Sequence, residues 1–186
     1  WAEQNPEEWW AAVCGAIKAM LEKSGIRAED IAGIGIEEEL VSHTGRQNGE
    51  VLANTPIWMD TRAADICEEV GRKVGEDRIF QVCGNPFKAT YTTPKILWYQ
   101  RNLPEVYAHT YKILQSNSYI AYKLTGIDQE LSQGYGLHCF DMRKGVWDLD
   151  MCRELGIRED LLPDIYKSCH CSGVTEKAAR ECGLLP

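Results

Sequence analysis

Two hydrophobic periods alternate along this chain, and the alternation restricts its fold more than any other feature. Trp10, Val13, Cys14, Ile17, Met20 and Leu21 recur at the spacing of one helix face. They follow Asn5, Pro6, Glu7 and Glu8, which supply a capping side chain, a proline at the first helical position and carboxylates over the positive end of the dipole. Ser24-Gly25 ends that run. Ile31 to Ile36 is then a short apolar run suited to a buried strand. Asn48-Gly49 marks a tight turn before Val51-Leu52, and Thr55 to Met59 is expected to be another strand. Thr61 is placed to cap a helix carrying Ala64, Cys67, Val70 and Val74. Pro94 opens a further helix and Pro104 a shorter one. Ile113-Leu114 forms a brief strand, and Ser116 is placed to cap a helix over Tyr119 to Leu124. Thr125-Gly126 closes that helix with the residue that tolerates the left-handed conformation. Helices alternating with short strands predict an α/β fold. The 186 residues contain no repeat, low-complexity stretch or evident linker, so one domain with a sizeable core is expected.

Composition narrows the function classes. A net charge of −8 leaves no basic stripe to displace counterions, which argues against a nucleic-acid partner. No apolar run is long enough to span a bilayer and no signal peptide precedes Trp1, so a cytoplasmic protein without a membrane partner is expected. Eight cysteines scattered through helical and apolar runs fit free, mostly buried thiols in a reducing compartment better than a disulfide framework. Cys169-His170-Cys171, with Cys182 beyond, invites a metal reading. Structural zinc sites space their cysteines by about two to four residues, however, and alternate residues of a strand point to opposite faces, so no metal is expected there.

Several short motifs follow one another in order. Pro56-Ile57-Trp58-Met59-Asp60-Thr61-Arg62 comes first, then Thr93-Pro94-Lys95-Ile96-Leu97-Trp98 and Leu103-Pro104-Glu105. Leu124-Thr125-Gly126 and Phe140-Asp141-Met142-Arg143-Lys144-Gly145-Val146-Trp147 come next, followed by Gly156-Ile157 and Leu161-Leu162-Pro163. Their order and spacing resemble the FGGY family of carbohydrate kinases, most closely its xylulokinase branch, from Trp1 to Pro186. The resemblance implies an RNase H-like domain related to those of actin and hexokinase, here incomplete at its N-terminus. Residues 1–186 would be part of the N-terminal, sugar-binding domain, with the C-terminal ATP-binding domain absent. It also implies phosphorylation of a ketose such as xylulose, or a related sugar or polyol, with ATP and Mg2+ in the full-length parent, and a homodimer as the possible assembly. The Asp-x-Gly-Thr phosphate-binding turn of the family is not found in the chain, nor is a Walker-type loop. The fragment alone is therefore expected to be inactive.

Phosphorylating a sugar hydroxyl needs a carboxylate to accept its proton as the oxygen attacks. Counting back from Asp141, the resemblance places that base at Glu130, where relatives carry Asp. The residues themselves also allow Asp128, Gln129 and Glu130 to be a solvated turn. Ser132-Gln133-Gly134-Tyr135-Gly136-Leu137 follows, and its glycines let backbone pass close to a ligand. Trp58, Asp60 and Arg62 match the family's Trp-x-Asp-x-Arg motif at the sugar side of the cleft. An aromatic face, a carboxylate and a forked guanidinium suit a carbohydrate. The alternative is structural, with Asp60 capping the following helix and Arg62 pairing with it. Lys95 and Trp98 share a helix face, with the lysine stem packed and its ammonium free. Tyr91 falls near a substrate-contacting position of relatives, and a buried tyrosine with its hydroxyl engaged explains it equally. Leu40 and Val41 stand where xylulokinases carry Met-His against the sugar, and their side chains cannot donate hydrogen bonds. The same departures leave a second function class open: a non-catalytic sugar-sensing or partner-binding module derived from a kinase.

Overall fold

The computed structural model describes residues 1–36, 42–45, 48–130, 136–167 and 169–186, and the side chains of residues 42–44 and 130 fall outside that description. The chain opens with β1 (Glu3–Gln4), which pairs antiparallel with β3 (Thr55–Pro56). Between them runs α1 (Pro6–Ser24), capped by the Asn5 side chain, which accepts from the Glu7 backbone N–H at 3.0 Å. Gly25 ends it at φ 68°, the left-handed geometry anticipated for that glycine. The strand β2 (Ser42–Gly45) pairs antiparallel with β4 (Lys112–Gln115).

Helices α2 (Ala64–Val70) and α3 (Glu76–Cys83) are joined by a π-helical turn over Gly71–Gly75. Next come α4 (Thr92–Asn102) and α5 (Pro104–His109), then α6 (Ser116–Thr125), closed by Gly126 at φ 75°. The strand β5 (Gln129–Glu130) pairs parallel with β8 (Asp164–Ile165), and β6 (Phe140–Asp141) pairs antiparallel with β7 (Val146–Trp147). The helices α7 (Leu149–Leu155) and α8 (Glu176–Cys182) complete the order.

Two apolar clusters hold these elements. The larger joins α2, α3, α4 and α7 through Ile66, Ile79, Ile96, Tyr99 and Met151, with Leu161 of the short turn after α7. The other joins α1, α6 and α8 through Trp10, Cys14, Tyr119, Leu124, Ala178 and Cys182.

Several expectations need correction. Ile31–Ile36 is in no strand, because no described strand lies beside it to share a ladder. The strand expected over Thr55 to Met59 stops at Pro56, since Trp58 and Met59 form a turn closed by Asp60 N–H donating to Ile57 O at 2.9 Å. Val51 makes only an isolated bridge to Gly45. Thr61 does not cap α2 with its side chain; its carbonyl accepts from Ala64 N–H at 3.1 Å. The fourth helix begins at Thr92, two residues before Pro94, because a proline is tolerated anywhere in the first turn. Ser116 is the first residue of α6, and the residue at the capping position is Gln115.

Candidate functional site

The turn after β3 points the Asp60 carboxylate inward, where it is fully covered. Its Oδ1 accepts from the Arg62 backbone N–H and from Arg62 Nε, both at 2.9 Å. Its Oδ2 accepts from Arg62 Nη2 at 2.8 Å and from the Ala2 N–H at 2.5 Å. The same Nη2 reaches Glu3 Oε2 at 2.8 Å. The guanidinium also lies 4.2 Å from the Trp1 ring centroid and 4.8 Å from that of Trp98, and the two indoles meet edge-on at 5.3 Å. Burial alone would raise the Asp60 pKa. The Arg62 and Ala2 hydrogen bonds outweigh it and hold the carboxyl at about 2. Asp60 and Arg62 are therefore ionised and engaged with each other, in the turn that also carries Trp58. Trp58 is 46% exposed.

Helix α4 gathers the remaining side chains. Lys95 lies in its first turn with 1% of its surface exposed. Its ammonium is not free as the sequence suggested; it donates to Thr90 O at 2.8 Å. Burial lowers its pKa to about 8, with Asp60 pulling upward and Arg62 adding to the fall. Trp98, one turn on, is packed and carries the Arg62 contact.

Tyr91 precedes the helix, half-buried, with its ring edge-on to His138 at 5.5 Å. His138 is wholly buried against Phe87 as well, at 4.7 Å. Its Nε2 donates to Pro86 O at 3.1 Å, since a carbonyl can only accept. Burial holds the imidazole neutral, with a pKa of about 4 despite the Pro86 bond. Its Nδ1 has no partner among the described residues. Sequence reasoning passed over His138, although a histidine inside the apolar run Gly136-Leu137-His138-Cys139-Phe140 is the signal that could have found it.

Glu130 ends β5, opposite Ile165 of β8. Its side chain lies outside the described residues, as do Leu40 and Val41 altogether. The chain after Glu130 can nonetheless be followed where it lands. Thr93 N–H donates to Gly136 O at 3.4 Å, and His138 N–H donates to Thr93 Oγ1 at 2.8 Å. Gly136 and His138 are thus fastened to the first turn of α4, next to Tyr91. Asp128 takes a hydrogen bond from the half-exposed Tyr111, whose ionisation it opposes. The structure therefore joins Asp60, Arg62 and Trp98 in one corner and Tyr91 and His138 at the head of the same helix.

Among the described residues no three His, Cys, Asp or Glu side chains cluster closely enough to hold an ion, and the sequence has no phosphate-binding turn. Cys169 and Cys171 are exposed, and the His170 ring lies 4.6 Å from that of Tyr166.

Comparison with known proteins gives this geometry its context. The chain is 30% identical to a xylulose kinase of Bacillus subtilis (strain 168), a match covering all of this chain and 38% of that protein. It is 28% identical to a glycerol kinase of Thermoanaerobacter sp. (strain X514), covering 96% of this chain and 38% of that one. In fold it superposes on the xylulose kinase of Rhodospirillum rubrum with a TM-score of 0.91 at 24% identity, over 100% of this chain and 39% of the other. The fold is that of the actin- and hexokinase-like ATPases, as the resemblance implied. The chain spans under two fifths of the length of each relative. The N-terminal domain of the FGGY carbohydrate kinases matches residues 1–186 from end to end, and the chain belongs to that family.

Proposed function

We propose that these residues form the acceptor side of an ATP-dependent kinase acting on a small sugar or polyol, with a ketose such as xylulose the leading candidate. The observation that supports this reading is the fastening of Gly136 and His138 to the first turn of α4, next to Tyr91; the choice of Glu130 as base rests on the family resemblance. In this reading Glu130 accepts the proton of the hydroxyl that is phosphorylated. Trp58 offers its exposed face to the sugar ring, and Tyr91 lines the site. Leu40 and Val41 border the sugar with apolar surface, which favours an acceptor that needs no hydrogen bond there. Asp60 and Arg62 act as positioning residues for the Trp58 turn. ATP and Mg2+ would be held by the rest of the polypeptide; residues 1–186 alone would not turn over ATP. The site calls for a small-molecule acceptor, and a homodimer is a further proposal taken from the resemblance.

The test is ATP-dependent phosphorylation by the full-length protein across pentuloses, hexuloses and polyols, beside Glu130→Ala and Glu130→Gln. Loss of a general base lowers kcat by about 100- to 10,000-fold, and the isosteric Gln variant should fall as far as Ala because it lacks the basic oxygen. Turnover on no acceptor would move the reading to a sugar-binding module without catalysis. Turnover unaffected by either variant would remove Glu130 from the mechanism while leaving the kinase.

A further inference from the structure

The second apolar cluster contains an arrangement that kinase chemistry does not use. Cys14 sits in the middle of α1 and Cys182 is the last residue of α8, 168 positions later, and their sulfurs are 3.0 Å apart. A disulfide bond needs about 2.05 Å, so roughly one more ångström of approach would join them. The two helices are held in register on both sides of the pair. One turn before Cys14, Trp10 Nε1 donates to Glu181 Oε2 at 2.6 Å. One turn after it, Lys18 lies so close to Gly183 that a Cβ there would stand 3.5 Å from Lys18 Cγ. Helix α8 has seven residues, so small local movement suffices to close the remaining gap.

We propose that Cys14 and Cys182 are a built-in cross-link site, closed by exchange with a small-molecule disulfide such as oxidised glutathione. Cys14, with 8% of its surface exposed against none for Cys182, meets the oxidant first. Its thiolate attacks one sulfur of the glutathione disulfide, and one glutathione thiolate leaves. The Cys182 sulfur then attacks the Cys14 sulfur of that mixed disulfide, and the second glutathione thiolate leaves. The two cysteine protons end on the two departing thiolates. The protein pair loses two electrons, and one glutathione disulfide is reduced to two thiols.

Burial, with the Cys14 sulfur and Glu181 beside it, pushes the Cys182 thiol up to about 12, while Lys18 works the other way. The pair is therefore stable as thiols until an oxidant arrives, and the second step waits on the Cys182 proton. Once formed, the bond closes nearly the whole chain into one loop, the case in which a cross-link restricts the unfolded state most.

The experiment incubates the full-length protein with excess oxidised glutathione, alkylates the remaining thiols, and maps non-reduced peptides by mass spectrometry. The expected result is a Cys14 peptide joined to a Cys182 peptide, two hydrogens lighter than the pair. It should come with a rise of several degrees in Tm that dithiothreitol reverses and that both Cys14→Ala and Cys182→Ala abolish. Peptide mapping of the unsubstituted protein decides the matter even if a variant does not fold, and it separates this link from any formed by Cys139, Cys152, Cys169 or Cys171. Recovery of Cys14 and Cys182 alkylated, or of Cys14 held only as a mixed disulfide with glutathione, overturns the proposal and leaves the contact as packing. A link with no rise in Tm overturns the claim that it staples the fold. Neither outcome bears on kinase activity.

Discussion

Two parts of this molecule handle buried polar groups in opposite ways. At the corner built by Trp1, Glu3, Asp60, Arg62 and Trp98, a carboxylate and a guanidinium are both withdrawn from water, with side chains 0% and 3% exposed, and both Asp60 oxygens and the Arg62 Nε and Nη2 groups meet partners. Beside Ile31–Ile36 lies a groove of about 540 Å³. Among the described residues no strand runs alongside this segment, and the buried side-chain amide oxygen of Gln129 has no partner. The corner is a completed polar interior, while the groove presents apolar side chains and open hydrogen-bonding groups together. Satisfied polar burial fixes geometry at high cost of disruption, and unsatisfied polar burial costs stability as it stands. Substitutions in the two regions should therefore move stability in different directions.

The largest effect belongs to the corner. Removing Arg62 leaves Asp60 buried with only the Ala2 N–H and its own turn to face, and breaking a buried pair in this way costs about 3 to 5 kcal/mol. Arg62→Ala should lower the denaturant midpoint accordingly. Arg62→Lys should fall between it and the parent, because an ammonium cannot replace the fork that grips both Asp60 oxygens and Glu3. An Arg62→Ala protein as stable as the parent would show that the corner contributes no stability.

A second effect separates the corner from the head of α4 by pH. A neutral buried His138, with a pKa of about 4 against the usual 6.5, takes up fewer protons than the unfolded chain between those values. Stability is then full above about pH 6.5 and falls as pH drops through that window, by at most about 3 kcal/mol. Asp60, held at about 2 against the usual 3.8, adds its own loss only below that, as pH falls toward 2. His138→Met should flatten the dependence between pH 6.5 and 4 while leaving the limb below 4 in place. An unchanged slope in the upper window would mean that His138 is not held neutral.

How much of this could be read in the sequence follows from how local each signal is. The first helix, from its Asn5 cap to Gly25, and the closure of α6 at Gly126 were legible because cap, period and stop all lie within a few residues. The pairing of Arg62 with Asp60 was legible for the same reason, since they are two residues apart. Ile31–Ile36 was misread because a strand is a property of a pair, and an apolar run says nothing about whether a partner lies beside it. The free ammonium given to Lys95 failed because the Thr90 carbonyl reaches it through a loop that helical spacing cannot describe. Trp1 and Glu3 could not be joined to Arg62 from sequence at all, for that link spans about sixty positions and exists only once β1 pairs with β3. The placing of Glu130, Leu40 and Val41 rests on the family resemblance alone.

The smallest effect tests the groove. Gln129 lies in β5 with 3% of its surface exposed, and the groove beside it is lined by Ile31, Ile36, Ala121 and Leu184. A buried amide oxygen without a partner costs about 1 to 3 kcal/mol, and a leucine fills nearly the same volume without that cost. If Gln129 faces this groove unpartnered, Gln129→Leu should stabilise the full-length protein by about 1 kcal/mol, read as a shift of the denaturant midpoint at constant slope. If instead it destabilises by a similar amount, something in the whole protein donates to that oxygen. The groove would then be as complete as the corner, and the contrast between the two regions would be confined to residues 1–186. The sign of this shift carries more information than its size, because the same oxygen cannot be both unpaired and worth keeping.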